Sequence, residues 1–169
     1  MTTIRAARQS DAESMGRIFH AAAMAGWSGF LPVEELAARK PDGTPYVQAI
    51  RALETTVFVA ENTDGEVVGF AITRQSLDAD AARGTAELHM FYVHPDHWGQ
   101  GAARHLMAEV LRSFQEQGYR EATLWTALDN HRPRAFYRTS GWSLDGRRRS
   151  TTRYGVTFTE LRHRIHCVA

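Results

Sequence analysis

The chain has 169 residues, a formal net charge of +1, and 43% hydrophobic against 23% charged residues. That length predicts one domain, residues 1–169, with a single core, and no apolar run approaches the ~18 residues that a membrane span needs. The first residues, MTTIRAARQSDAESMG, have no apolar stretch of the secretory kind, and Cys167 has no second cysteine to pair with, so the expected location is a reducing cytoplasm.

TIRAA reads as a short first strand. In SDAESMGRIFHAAAMAG, Ser10 followed three residues later by Glu13 has the form of a capping box, so a helix is expected to start there. Met15, Ile18, Phe19 and Ala22 recur at helical spacing until Gly26, and GWSGFLP follows as an apolar loop. VEELAARK and TPYVQAIRALE are shorter helical pieces separated by the turn signal PDG. The period then changes to two. TTVFVAE, the turn NTDG and EVVGFAITRQ read as a hairpin, SLDADAARG as a polar loop, and TAELHMFYVHP as a further strand.

A long helix is expected from about Ala102 to Gln117, with Met107, Val110, Leu111 and Phe114 on its buried stripe and Gly118 just beyond its end. REATLWTAL is the next strand, RPRAFYRTSG a short helix closed by Gly141, and GWSLDGRRRS and VTFTELRHRI the last two strands.

Charge is unevenly spread: residues 1–84 carry 8 basic and 11 acidic groups, and residues 85–169 carry 12 and 8. Arg147, Arg148, Arg149, Arg153, Arg162 and Arg164 make up much of the basic excess. Outward arginines on solvated strands explain it better than a nucleic-acid surface, because only Trp142 and Tyr154 lie nearby to stack on bases. His94 with His97, and the run HRIHC, raise a metal reading. His163 and His166, three apart on a strand, point to opposite faces, so no metal is expected.

In HWGQGAARHLM, Gly99, Gly101, Ala102 and Ala103 leave the backbone bare where the long helix begins. First-turn N–H groups have no intrahelical partner and, with the helix dipole, suit a phosphate or pyrophosphate. A dinucleotide fingerprint would need its third glycine where Arg104 stands, and no Gly-Lys-Ser/Thr follows for a nucleotide-triphosphate loop.

The order Leu88, Phe91-Tyr92-Val93, His94-Pro95, Gly99-x-Gly101-x-Ala103 and Leu106 resembles the acetyl-CoA-binding motif of the GNAT acetyltransferase superfamily. LWTALDNHRPRAFYRTSGW is similar to that superfamily's downstream segment, with Asn130, Tyr137, Gly141 and Trp142 at the matching places. The resemblance spans nearly the whole chain. It departs from the family at Trp98, where the phosphate loop often begins with Arg or Gln; Arg104 is the candidate to supply the missing side chain.

The resemblance implies an α/β (α+β) fold: a central, mixed, mostly antiparallel sheet of six to seven strands, splayed at its centre and flanked by about four helices. It implies acetyl-CoA as cosubstrate, held by Phe91, Tyr92, Val93, Trp98, Gly99, Gln100, Gly101, Ala102, Ala103, Arg104, Asn130 and Tyr137. An N–H near Val93 would polarise the thioester carbonyl. Tyr137 is the implied acid that reprotonates the departing thiolate, and Glu87 matches a general-base position of the histone-modifying branch. His89, two residues on, would pass the proton or line the acceptor site.

The expected activity is N-acetylation of a primary amine by direct attack on the thioester. Cys167 lies away from the motifs, so no acyl-cysteine intermediate is expected. The alternatives are a non-catalytic acyl-CoA-binding regulatory module and a peptide N-terminal acetyltransferase. Trp27, Phe30 and Glu87 are the candidate acceptor contacts, and a small or amino-acid-like amine is favoured over a peptide amine. Homodimerisation through the final strands is a further expectation.

Overall fold

The computed structural model describes residues 1–167. Seven strands form one sheet: β1 Thr3–Ala6, β2 Thr55–Glu61, β3 Val67–Gln75, β4 Thr85–Val93, β5 Glu121–Ala127, β6 Ser143–Arg153 and β7 Val156–His166. Their spatial order is β1-β2-β3-β4-β5-β7-β6, and every neighbouring pair is antiparallel except β4 with β5. Five helices flank it: α1 Ala12–Trp27, α2 Val33–Ala38, α3 Thr44–Arg51, α4 Ala102–Glu116 and α5 His131–Thr139. The two pieces either side of PDG are separate helices, as their sequence suggests, which accords with the about four helices that the resemblance implies.

Alternation along the strands builds two cores. Val57 and Val59 of β2 point with Phe70 and Ile72 toward Met15, Ile18 and Tyr46 of α1 and α3. Phe58, between them, joins Leu106, Met107, Val110 and Phe114 of α4 on the other face. Each such fully buried side chain is worth about 1.5–3 kcal/mol of transfer free energy.

The start of α1 differs from expectation. The chain enters through a 3-10 turn, Gln9–Asp11, in which the Asp11 carboxylate accepts from the Arg8 N–H at 2.7 Å and from Arg5 at 2.8 Å. Asp11, not Ser10 with Glu13, therefore ties the helix entrance, since an ionised acceptor forms the stronger hydrogen bond. The helix also continues through Gly26 to Trp27.

Two irregularities shape the sheet's centre. Beside β3, Met90 pairs with Ile72 but Leu88 pairs with Thr73, so His89 is the extra residue of a β-bulge. The bulge shifts the alternation: Leu88 and Phe91 both pack toward α4 and α5, while Met90 and Tyr92 pack toward α1. Second, β4 and β5 are joined only at Thr85–Glu121, Ala86–Ala122 and Glu87–Thr123, and beyond these pairs both strands continue unpaired with each other.

Candidate active site

A cleft of about 870 Å³ opens where β4 and β5 separate, lined by Leu88–Val93, Leu124–Ala127, the loop before α4, the start of α5, the end of α1 and the β6–β7 hairpin. The strand geometry decides which backbone groups face it. His94 N–H donates to Val68 O at 2.8 Å, so residues 90, 92 and 94 spend their ladder groups on β3. In an antiparallel pair the intervening residues turn theirs the other way, so the N–H and C=O of Phe91 and Val93 point into the opening. Tyr92 contributes its ring to the α1 side, 5.1 Å from Phe19 and 6.5 Å from Trp27.

The loop before α4 is built on two left-handed residues, Gly99 (φ 77°) and Gly101 (φ 92°), where any other L-residue would be strained. A Cβ on Gly99 would meet nothing within 4 Å, so the space beside it is open. The first α-helical bond of α4 is His105 N–H to Gly101 O at 3.1 Å, and the N–H groups of Ala102, Ala103 and Arg104 precede it. The expected loop residues divide. Trp98, Gly99, Gly101, Ala103 and Arg104 line the cleft; Gln100 and Ala102 face a smaller pocket behind the loop, and the Gln100 amide donates to Asp96 O at 2.9 Å.

Trp98 has a local role of its own. Its indole N–H donates to Val93 O at 2.7 Å, removing that carbonyl from the groups available in the opening, and Arg132 of α5 stacks over its ring at 4.3 Å. The glycine-loop and α5 sides of the cleft are therefore bridged by a cation–π contact. Asn130 stands at the N-cap of α5 without capping it by its side chain, and lines the cleft.

Tyr137 is 7% exposed, ringed by Phe91, Phe136, Trp142 and His163 at centroid distances of 5.8–6.4 Å. Burial, reinforced by Tyr92, pushes its phenol well above the ordinary value, so it stays protonated. His163, beneath it, is pushed down by burial and by Arg134.

Glu87 is 8% exposed and bound by Arg74 at 2.8 Å, with His89 Nδ1 3.6 Å from its other oxygen. Burial alone would raise its pKa, but the bonds from His89 and Arg74 hold the carboxyl below the usual range. His89 is the exposed member of this cluster.

Trp27 and Phe30, the expected acceptor contacts, both line the cleft, with Phe30 5.5 Å from Phe158 between ring centroids. Arg149 and Arg153 of the basic hairpin line it as well, and sequence reasoning missed Arg74, Trp125, Phe158 and Glu160, which join them. Alternation along β5 and β7 marks Trp125, Phe158 and Glu160 as residues of one face each, but the strand order that brings them together is not a local signal. The arginines are not uniformly outward either. Arg162 is 3% exposed and bonded to Asp78, Asp80 and Asp145. Among the described residues no group of three or more His, Cys, Asp or Glu is placed to hold a metal ion, and no helix is long and apolar enough to cross a membrane.

The sequence profile of the Acetyltransferase (GNAT) family matches residues 24–142. An uncharacterized N-acetyltransferase of Archaeoglobus fulgidus is 29% identical over 100 residues, covering 59% of this chain and 68% of that protein. The aminoglycoside N(6')-acetyltransferase type 1 of Stenotrophomonas maltophilia is 32% identical over 116 residues, covering 66% and 68%. An uncharacterized Mycobacterium tuberculosis N-acetyltransferase is 33% identical over 85 residues, about half of each chain (50% and 51%). Among solved structures, the PaiA N-acetyltransferase of Thermoplasma acidophilum, in complex with coenzyme A, superposes with a TM-score of 0.78 at 16% identity, covering 98% of this chain and 99% of that one. YncA of Salmonella typhimurium, a putative acetyltransferase solved with acetyl-CoA, gives a TM-score of 0.78 at 20% identity, covering 100% and 95%.

Proposed function

The chain belongs to the GNAT acetyltransferase family, and from that premise we propose that it transfers the acetyl group of acetyl-CoA to a primary amine by direct attack on the thioester. The observation that carries this reading is the gap between β4 and β5, which leaves the N–H and C=O of Phe91 and the N–H of Val93 unspent beside a protonated, buried Tyr137.

The residues fit the cosubstrate. The open space at Gly99 and the free N–H groups of Ala102, Ala103 and Arg104 suit a pyrophosphate, with Arg104 and Arg132 at the same mouth. The unpaired edge of β4 suits an amide-bearing arm, with the Asn130 side chain opposite. When bound, acetyl-CoA supplies an activated thioester carbonyl and a thiolate leaving group.

The protein's groups then divide the work. The Val93 N–H, which faces the opening, would donate to the thioester carbonyl oxygen as it gains charge, and such a preorganised donor is worth several kcal/mol. Tyr137 holds a proton within the cleft for the departing sulfur. Glu87, kept ionised by Arg74 and His89, attracts the ammonium form of the acceptor, and the exposed His89 carries its proton to solvent. Deprotonating an alkylamine costs roughly 4–5 kcal/mol at neutral pH, and that cost is the reason for proposing a proton acceptor here.

Calorimetric titration with acetyl-CoA, beside a Gly101→Glu variant, tests the donor site. The left-handed backbone and the added negative charge both oppose binding, so the variant is expected to lose affinity at least about a hundredfold while keeping its circular dichroism spectrum. Absence of binding by the unaltered protein would remove the basis of the proposal.

A further inference from the structure

Which charges on the acceptor side are already spent determines what kind of amine the cleft can take. Three arginines and two glutamates line that side: Arg74, Arg149 and Arg153 against Glu87 and Glu160. Arg74 is bound to Glu87 at 2.8 Å. Arg149 is bound to Glu160 at 2.6 Å, and the same carboxylate accepts from Thr151 at 2.8 Å. Next to the cleft, Arg147 lies 3.1 Å from Asp80, and Arg162 is shared among three aspartates.

Arg153 is different. Its guanidinium stands over the Trp27 ring, 5.1 Å from the centroid, and among the described residues it has no carboxylate within salt-bridge distance. It ends β6 at the exposed lip of the cleft. The Trp27 ring in turn meets the Tyr92 ring edge to face, 6.5 Å away between centroids, on the strand that borders the gap. Glu87 and His89 lie on that same strand. The cleft therefore presents a carboxylate near the gap, a cation at the lip, and an aromatic surface between them.

Resting on the acetyl-transfer reading above, we propose that Arg153 anchors a carboxylate of the acceptor, which is an amine whose anionic group is set apart from the reacting nitrogen by an apolar body lying against Trp27. A guanidinium with five donors and a planar fork suits a carboxylate in two-point contact, and pairing there neutralises the one excess charge. A polycation meets that unpaired guanidinium at the lip and is disfavoured.

The test uses matched acceptors that differ only in the anionic group: 4-(aminomethyl)benzoate against 4-(aminomethyl)benzamide, and 6-aminohexanoate against 6-aminohexanamide, with spermidine as the polycation. Turnover is followed as coenzyme A thiol release. The carboxylates are expected to exceed their amides in kcat/KM about tenfold to a hundredfold, as a charge-assisted contact allows. Arg153→Gln should collapse that ratio toward one through KM, and Arg153→Lys should restore part of it.

Equal use of acid and amide, preference for spermidine, an unchanged ratio in Arg153→Gln, or no turnover of either carboxylate would each overturn the proposal. Acetyl-CoA binding, measured on the same preparation, separates the two levels. Binding with the wrong acceptor preference sinks only the Arg153 assignment, whereas no binding sinks acetyl transfer itself.

Discussion

At the scale of single residues, Tyr137 and Cys167 make opposite predictions. Tyr137 lines the cleft and has a phenol held protonated by burial. Tyr137→Phe keeps the ring packing and removes only the proton, so saturating turnover is expected to fall about a hundredfold with acetyl-CoA affinity retained. A normal rate in that variant would assign the proton to water. Cys167 is buried in the α4 core, outside the cleft, and burial followed by Glu121 pushes its thiol up to about 11, so little thiolate exists at neutral pH. Cys167→Ala should therefore lose about 1 kcal/mol of stability and no activity; turnover assays and urea unfolding on one preparation check both. Tyr137 was legible in sequence because its spacing from Asn130 and Gly141 is local. Its surroundings were not, since Phe91 and His163 reach it from strands 46 and 26 residues away in the chain.

Among elements, the polar loop between β3 and β4 shows what a local reading leaves out. SLDADAARG reads as a solvated connection, and Arg162 on β7 as one of several outward arginines. In the fold, Arg162 is nearly closed off from solvent: it donates to Asp78 at 3.0 Å, Asp80 at 2.7 Å and Asp145 at 2.7 Å, pinning the loop to β6 and β7. Asp78 also accepts from the Trp125 indole at 3.0 Å, so the same knot fixes an aromatic wall of the cleft. Partners separated by 82 and 84 residues leave no periodic trace in sequence. Removing the buried cation leaves Asp78 with no cation and takes one of the two arginines from each of Asp80 and Asp145, so Arg162→Met is expected to cost about 3 kcal/mol and to raise acceptor KM through a loosened Trp125. Denaturant unfolding gives the first and initial-rate kinetics the second; an unaltered unfolding midpoint would contradict the knot. By contrast, the helix stripe of α4 and the β2–β3 hairpin were legible, because their partners' periodicity lies within one element.

For the molecule as a whole, acid sensitivity follows from how its carboxylates are held. In Asp11, Glu87, Glu121 and Asp145, burial alone would raise the pKa, and hydrogen bonds outweigh it: from Arg5 and the Arg8 N–H, from His89 and Arg74, from Thr85 and Arg164, and from the Arg147 N–H and Arg162. Below the ordinary carboxylate value of ~4 the unfolded chain binds these protons and the native state does not, so their stabilisation is complete above that pH and lost as pH falls toward the native values. His163, depressed by burial, adds a loss that begins earlier, near ~6.5, where the unfolded imidazole takes up a proton first. The urea midpoint should thus be level from pH 8 to 7, decline gently below about 6.5 and steeply below about 4; a level profile down to pH 3.5 would refute this. The same global view gives the meeting of β4 and β5 a kinetic meaning. Strands β1–β4 and β5–β7 are two leaves bound along a spine of three residue pairs, with Glu87 on one leaf and Tyr137 on the helix that joins β5 to β6 of the other. Whatever fills the space between the leaves lies between the proposed base and the proposed acid. Under the proposed acetyl transfer the donor is therefore expected to bind before the acceptor, and product-inhibition patterns of the initial rates check that order.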